Sequence, residues 1–163
     1  MKPVMLATDG SATALQATRT AVELARQLGT ELVIVSVWDI PYAPYSAMGF
    51  APVSMNAEFA KLEEEEATKA VTEAAARAEE AGVETRISVV RGFPVEAICE
   101  AAERFAPQFL VMGSHGWGVM KRALFGSVST GVLHHAPCPV LVVRGDPVED
   151  EVARNGSHRA VHA

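Results

Sequence analysis

Short unbroken apolar runs alternate along the chain with stretches in which apolar residues recur every three or four positions. The first run, PVMLATDG from Pro3, closes at Asp9-Gly10 and suits a strand buried on both faces. After it Ser11 or Thr13 can cap a helix whose inner face is Leu15, Thr18, Val22, Ala25 and Leu28, with Gly29 as a left-handed stop. ELVIVSVW, Glu31 to Trp38, is rich in β-branched residues and predicts a second buried strand. From Asp39 to Asn56 no period is sustained, and Pro41, Pro44 and Pro52 punctuate a long loop. Loops of that length serve as binding loops or lids in some domains and are disordered in others, and both readings stay open. The next stretch, Ala57 to Ala81, is dense in strong helix formers, with Phe59, Leu62, Val71, Ala74, Ala78 and Ala81 as its inner positions and Gly82 beyond.

The second half continues the alternation. Thr85, Ile87 and Val89 alternate with Arg86 and Ser88, the pattern of an edge strand with one wetter face. Pro94 opens a helix at a position where its missing N–H is harmless, and Val95, Ile98, Ala102 and Phe105 form its inner stripe. PQFLVMG is a fourth strand, a helix over Ser127 to His135 turns Val128, Val132 and Leu133 inward, and CPVLVVRG is a fifth strand. Strands alternating with helices predict an α/β domain with a mainly parallel sheet and right-handed crossovers. That domain is expected over residues 1–145, including the loop at 39–56, followed by a flexible tail at 146–163. In the tail His158 and His162 lie four apart, but a helix there to bring them together is not expected.

Composition narrows the function classes. A chain of 163 residues with 49% apolar content can bury one sizeable core. The net charge of -6 argues against a nucleic-acid partner, leaving room only for a local site for a small anion. Cys99 and Cys138 sit in apolar company without metal or disulfide spacing, as buried thiols in a reducing compartment would. No apolar run approaches the roughly 18 residues of a membrane span, and no leader pattern opens the chain, so a soluble, cytoplasmic protein is expected. The run Glu63 to Glu66 fans around its helix and reads as a solvated face, with no chemistry assigned to it.

The concentrated signal is GSHGWGVMKRALFGSVS, Gly113 to Ser129. Its spacing is G-x2-G-x9-G-S through Gly113, Gly116, Gly126 and Ser127, and its last part opens a helix. Amides at a helix start lack intrahelical acceptors and carry the positive end of the dipole, so they attract phosphate. Glycine lets an anion approach those amides, and Ser127 and Ser129 can add hydroxyl donors. Each glycine alone would also suit a strand exit or close helix packing without a ligand. The combination of spacing, serines and strand-end placement is what points to phosphate. The dinucleotide fingerprint fails because GSHGWG reads G-x-x-G-x-G after the fourth strand, and the G-x4-G-K-[ST] loop and a serine-hydrolase elbow are absent.

With VMLATDGS near the start, VMGSHGWG, FGSVS and CPVLVV in order, the sequence from Lys2 to about Arg144 resembles the universal stress protein family, specifically its ATP-binding branch. The resemblance implies an open, Rossmann-like, five-stranded parallel sheet in the order 3-2-1-4-5 with helices on both faces. It implies ATP, with or without Mg, bound across strands one and four, and a homodimer formed through the fifth strand. By position, Asp9 and Val37 would sit at the adenosine end, Met112 and Gly113 beside the ribose, and Gly116, Gly126, Ser127 and Val128 around the phosphates, with Ser129 close by. Asp9 suits a turn or cap equally well. His115, Lys121 and Arg122 lie in the same loop, where they either neutralise the phosphates or face solvent.

The leading expectation is therefore a nucleotide-dependent stress-response or signalling module, cytoplasmic, with an unidentified protein partner and no dedicated catalytic residue. Alternatives are a slow ATP hydrolase, for which Asp9, Asp39 and His115 are the candidate groups without diagnostic spacing, and a dimeric interaction module that binds no nucleotide.

Overall fold

The computed structural model describes residues 1–39, 53–114 and 126–144, with residues 53–56 described by their backbone alone. Its elements alternate strictly: β1 (Val4–Ala7), α1 (Ala12–Leu28), β2 (Leu32–Trp38), α2 (Val53–Glu80), β3 (Thr85–Arg91), α3 (Pro94–Phe105), β4 (Phe109–Gly113), α4 (Ser127–His135) and β5 (Val140–Val143). The five strands form one sheet in the order β3-β2-β1-β4-β5, and every pairing is parallel. β1 is central, with Val4 level with Leu32 on one side and with Phe109 on the other.

Two-sided burial explains the unbroken apolar runs. Successive strand residues point to opposite faces. Val4, Leu6, Leu32, Ile34 and Val111 meet Ala17, Ala21 and Ala25 of α1 and Val71, Ala74 and Ala78 of α2. Met5, Val33, Val35, Leu110 and Met112 meet Ile98, Ala101 and Ala102 of α3 and Val132 of α4 on the other face. The helix faces against the sheet are largely alanine, which lets the helix backbones lie close to strands whose own side chains are large. The two layers of helices and the strand order agree with the architecture implied by the sequence resemblance.

Local stop and start signals act as expected from the chain. Ser11 caps α1, its Oγ accepting the Ala14 amide at 3.3 Å. Gly29 ends α1 in the left-handed region at φ 61°, its N–H donating to the Ala25 and Arg26 carbonyls. Nothing lies within 4 Å of a Cβ built on Gly29, so Gly29→Ala meets only the backbone penalty. That substitution is expected to destabilise the protein by about 1 kcal/mol, seen as a lower urea midpoint at unchanged slope.

Some inward assignments are corrected. Phe59 and Leu62 are 55% and 57% exposed, and Ala81 is exposed as well. α2 begins at Val53, inside the stretch expected to be loop, and its N-terminal half runs past the sheet and finds no strand to face. Leu133 is 44% exposed because α4 buries only Ser129 and Val132. On α1 the buried line runs through Ala14, Ala17, Ala21 and Ala25, leaving Leu15 and Leu28 half-buried at its margin. The remainder of the expected loop, 40–52, and the expected tail, 146–163, lie outside the described residues.

Candidate functional site

β1 and β4 are neighbours, yet the helices that follow them leave on opposite faces, α1 on one and α4 on the other. A crevice therefore opens at the carboxyl ends of these strands, the place where open parallel sheets bind ligands. It encloses about 310 Å³, at the small end of the usual range for ligand sites. Its floor is apolar: Ala7, Val35, Val37 and Met112 come from the sheet, and Pro94 and Ile98 from the first turns of α3. Its rim is polar, with Thr8 and Asp9 after β1, and Ser127 and Ser129 at the start of α4.

The β1 side is a tight turn into α1. Gly10 has φ 75° and donates its N–H to Thr8 Oγ1 at 3.3 Å, while the Ser11 N–H donates to Asp9 Oδ1 at 3.0 Å. Asp9 thus shapes the turn and lines the cleft at once, as the sequence allowed. A Cβ on Gly10 would come within 3.3 Å of Ala70 Cβ, so α2 passes directly against this turn.

The β4 side is organised around one carbonyl. Ser114 O accepts from the Gly126 N–H at 2.7 Å and from Ser129 Oγ at 2.9 Å, and the Ser114 N–H donates to Val143 O of β5 at 2.8 Å. These bonds pin the start of α4 to the end of β4. Gly126 is the N-cap in an extended conformation, so the N–H groups of Ser127, Val128 and Ser129 have no acceptor within the helix. The Gly126 amide, by contrast, is taken by Ser114. Ser129 is buried and its hydroxyl donates to main-chain carbonyls, which makes it a brace for the turn where a phosphate donor was expected. Ser127 is exposed at the cleft.

Of the residues singled out in the sequence, Asp9, Val37, Met112, Gly113, Ser127, Val128 and Ser129 all line this one cleft, and Gly126 caps the helix beside them. Gly116, His115, Lys121 and Arg122 lie outside the described residues. Sequence reading missed Thr8, Pro94 and Ile98. For Pro94 and Ile98 the signal was topological: a helix that leads into β4 from β3 must share the face of α4, so its first turns flank the same crevice, while Thr8 follows from its place directly before Asp9 at the end of β1. Neither cysteine belongs to the cleft, and both are half-buried and free. Burial, with the Glu103 carboxylate second, pushes the Cys99 thiol up, and burial likewise raises Cys138, which leaves both protonated near neutrality. Among the described residues no three His, Cys, Asp or Glu side chains converge as a metal site would require, and no helix is long and apolar enough to cross a membrane.

Comparison with known proteins gives a consistent result. Residues 1–144 match the profile of the universal stress protein family. A universal stress protein of Methanocaldococcus jannaschii is 35% identical over 144 residues, covering 88% of this chain and 82% of its own length. Among solved structures, a universal stress protein from Lactobacillus plantarum superposes with a TM-score of 0.76 at 23% identity, over 88% of this chain and 97% of its own, a likeness of fold. A universal stress protein solved in complex with cAMP superposes with a TM-score of 0.62 at 27% identity, covering 89% and 98% of the two chains.

Proposed function

The chain belongs to the universal stress protein family, and from that premise we propose that its cleft binds ATP and that the protein acts as a nucleotide-dependent module in stress response or signalling. One observation carries this reading: an apolar slot and the unpaired amides of a helix start open into the same cavity of about 310 Å³. The slot of Val35, Val37, Pro94, Ile98 and Met112 offers a flat ring dispersion contact and removal from water. The amides of Ser127, Val128 and Ser129, with the Ser127 hydroxyl, offer donors and the positive dipole end to phosphate. Asp9, at the opposite rim, offers a carboxylate to ribose or base hydrogens. A relative at 27% identity solved with cAMP is in keeping with an adenine ligand. Magnesium, where present, would arrive on the phosphates, since the described residues hold no carboxylate cluster for it.

This reading includes no dedicated catalytic residue. Asp9 is the one carboxylate lining the cleft among the described residues, and hydrolysis asks for a positioned base together with a held water and usually a metal. Turnover of bound ATP is accordingly slow and incidental. The module works in the cytoplasm and pairs through β5, an edge of the sheet whose Leu141 is 40% exposed.

Ligand that binds the folded state alone must stabilise it. ATP at about a hundred times its Kd adds roughly 2.7 kcal/mol, which for a chain of this size raises Tm by about 5 to 10 °C. The measurement is a thermal melt with and without millimolar ATP, run beside GTP and inorganic triphosphate. An unchanged Tm with ATP sinks the proposal, and equal shifts with all three ligands remove its adenine part.

A further inference from the structure

α2 is too long for the sheet it covers. Its 28 residues extend about 42 Å, whereas the seven-residue strands β2 and β3 against which it lies extend roughly 23 Å. The C-terminal end of α2 is level with the foot of the sheet, because Glu80 is followed by the turn at Gly82 and the Glu84 carbonyl already accepts from the Leu32 amide. All the surplus, about a dozen residues at 1.5 Å each, therefore lies at the N-terminal end, beyond the carboxyl ends of the strands. Burial agrees: from Ala57 to Glu66 every residue is exposed except half-buried Ala60, and the first buried one is Ala67.

The overhang carries Phe59 and Leu62, 55% and 57% exposed and three residues apart on one side of the helix. At about 100° per residue this pair is centred roughly 95° from the sheet-facing line of Ala67, Ala70, Ala74 and Ala78, Phe59 about 65° and Leu62 about 125° from it. Leu62 therefore lies off the protein's own core stripe and Phe59 at its edge, beyond the end of the sheet. By the same phase Glu58 and Glu63 flank the pair on either side and Glu66 lies in line with it a turn below, all exposed. The one described cation among these residues, Lys61, is on the far side and within 3.7 Å of Glu65.

We propose that this overhang is a docking surface for a basic amphipathic helix of a partner protein, whose apolar residues seat on Phe59 and Leu62 and whose lysines or arginines face Glu58, Glu63 and Glu66. Charge decides the occupant. A second copy of the same surface would bring glutamates against glutamates, which opposes self-pairing. A helix with apolar anchors three or four apart and cationic flanks satisfies both halves of the surface, in the manner of helix-in-groove recognition. The surface stands independently of the nucleotide, but the contact of Ala70 with the Gly10 turn places it about 12 to 17 Å along α2 from the rim of the cleft.

The test uses the full chain and a fluorescein-labelled synthetic helix of leucine and lysine at 3-4 spacing, read by fluorescence anisotropy, with a glutamate-for-lysine version of the peptide as comparison. Saturable binding of the basic peptide is expected, with none of the acidic one. Phe59→Ser/Leu62→Ser is expected to weaken it by at least about tenfold, the value of covering the exposed halves of two large apolar side chains. Glu63→Gln/Glu66→Gln is expected to weaken it several-fold and to flatten its salt dependence. Unchanged affinity in the serine variant, or no binding by the parent chain, overturns the proposal. A Tm lowered by several degrees in the serine variant overturns it too, since the pair would then be packed within the chain. So does a shift of its sedimentation coefficient to a smaller species, which would make a second copy the occupant.

Discussion

Gly126→Asp is expected to weaken ATP binding by at least about 100-fold while leaving the free protein as stable as before, or slightly more so. Gly126 caps α4 with φ -71° and ψ 167°, angles that aspartate adopts without strain, and it has no side chain with which to cap. An aspartate there would accept from the amides of Val128 or Ser129. Those are the donors assigned to phosphate, so the carboxylate both occupies them and repels the ligand's charge. The two effects separate in Gly126→Asn, which caps without charge and is expected to lose about tenfold. Calorimetric titration with ATP gives the affinities, and melts without ligand give the stabilities. An aspartate variant that binds ATP like the parent would place the phosphates away from α4. One that simply unfolds would say nothing about phosphate, which is why the ligand-free melt belongs in the same experiment.

What could be read from the chain follows from which signals are local. β1, β2 and β4 are buried on both faces, so their apolar runs are continuous and hard to mistake. The stop at Gly29 is set by neighbours in sequence and is equally plain, and the same local signals narrow the cap of α1 to Ser11 or Thr13. The cleft was half visible. Gly113, Gly126 and Ser127 stand in a spacing that announces itself, whereas Pro94 and Ile98 look like the inner stripe of an ordinary helix and join the cleft only through the strand order. Hydrogen-bond direction was not visible at all: that Ser114 O would claim both the Gly126 amide and the Ser129 hydroxyl depends on how β4 and α4 meet. The reading of Phe59 and Leu62 as core failed for a related reason. Helical periodicity locates an apolar face but not the length of the sheet beneath it, and α2 outruns its sheet.

Gly113→Ala tests how tightly the two walls of the cleft are coupled. A Cβ at this position would lie 3.1 Å from the carbonyl carbon of Thr13, 3.2 Å from its oxygen and 3.2 Å from the nitrogen of Ala14. These are backbone atoms in the first turn of α1, and no rotamer change can move them. β4 cannot yield instead, because Gly113 is level with Val143 of β5, Met112 with Ala7 of β1, and the Ser114 amide is bonded to Val143 O. The strain must be relieved by displacing α1, at a cost of about 1 to 3 kcal/mol, the range for overpacking a tight core, or roughly 2 to 12 °C in Tm. Ala14, Thr8 and Asp9 move with α1, so the cleft opens on the side proposed for the ribose, and ATP affinity is expected to fall about tenfold or more. Gly131 supplies the contrast. There the three atoms nearest a Cβ all belong to the side chain of Val95, its Cγ2 at 2.6 Å, across the α3–α4 contact. Gly131→Ala should therefore be destabilising alone and largely restored when combined with Val95→Ala, as measured by a double-mutant cycle in urea. Gly113→Ala has no such second site, because its obstacle is main chain. If it melts like the parent and binds ATP unchanged, the first turn of α1 is free to shift and does not set the shape of the cleft.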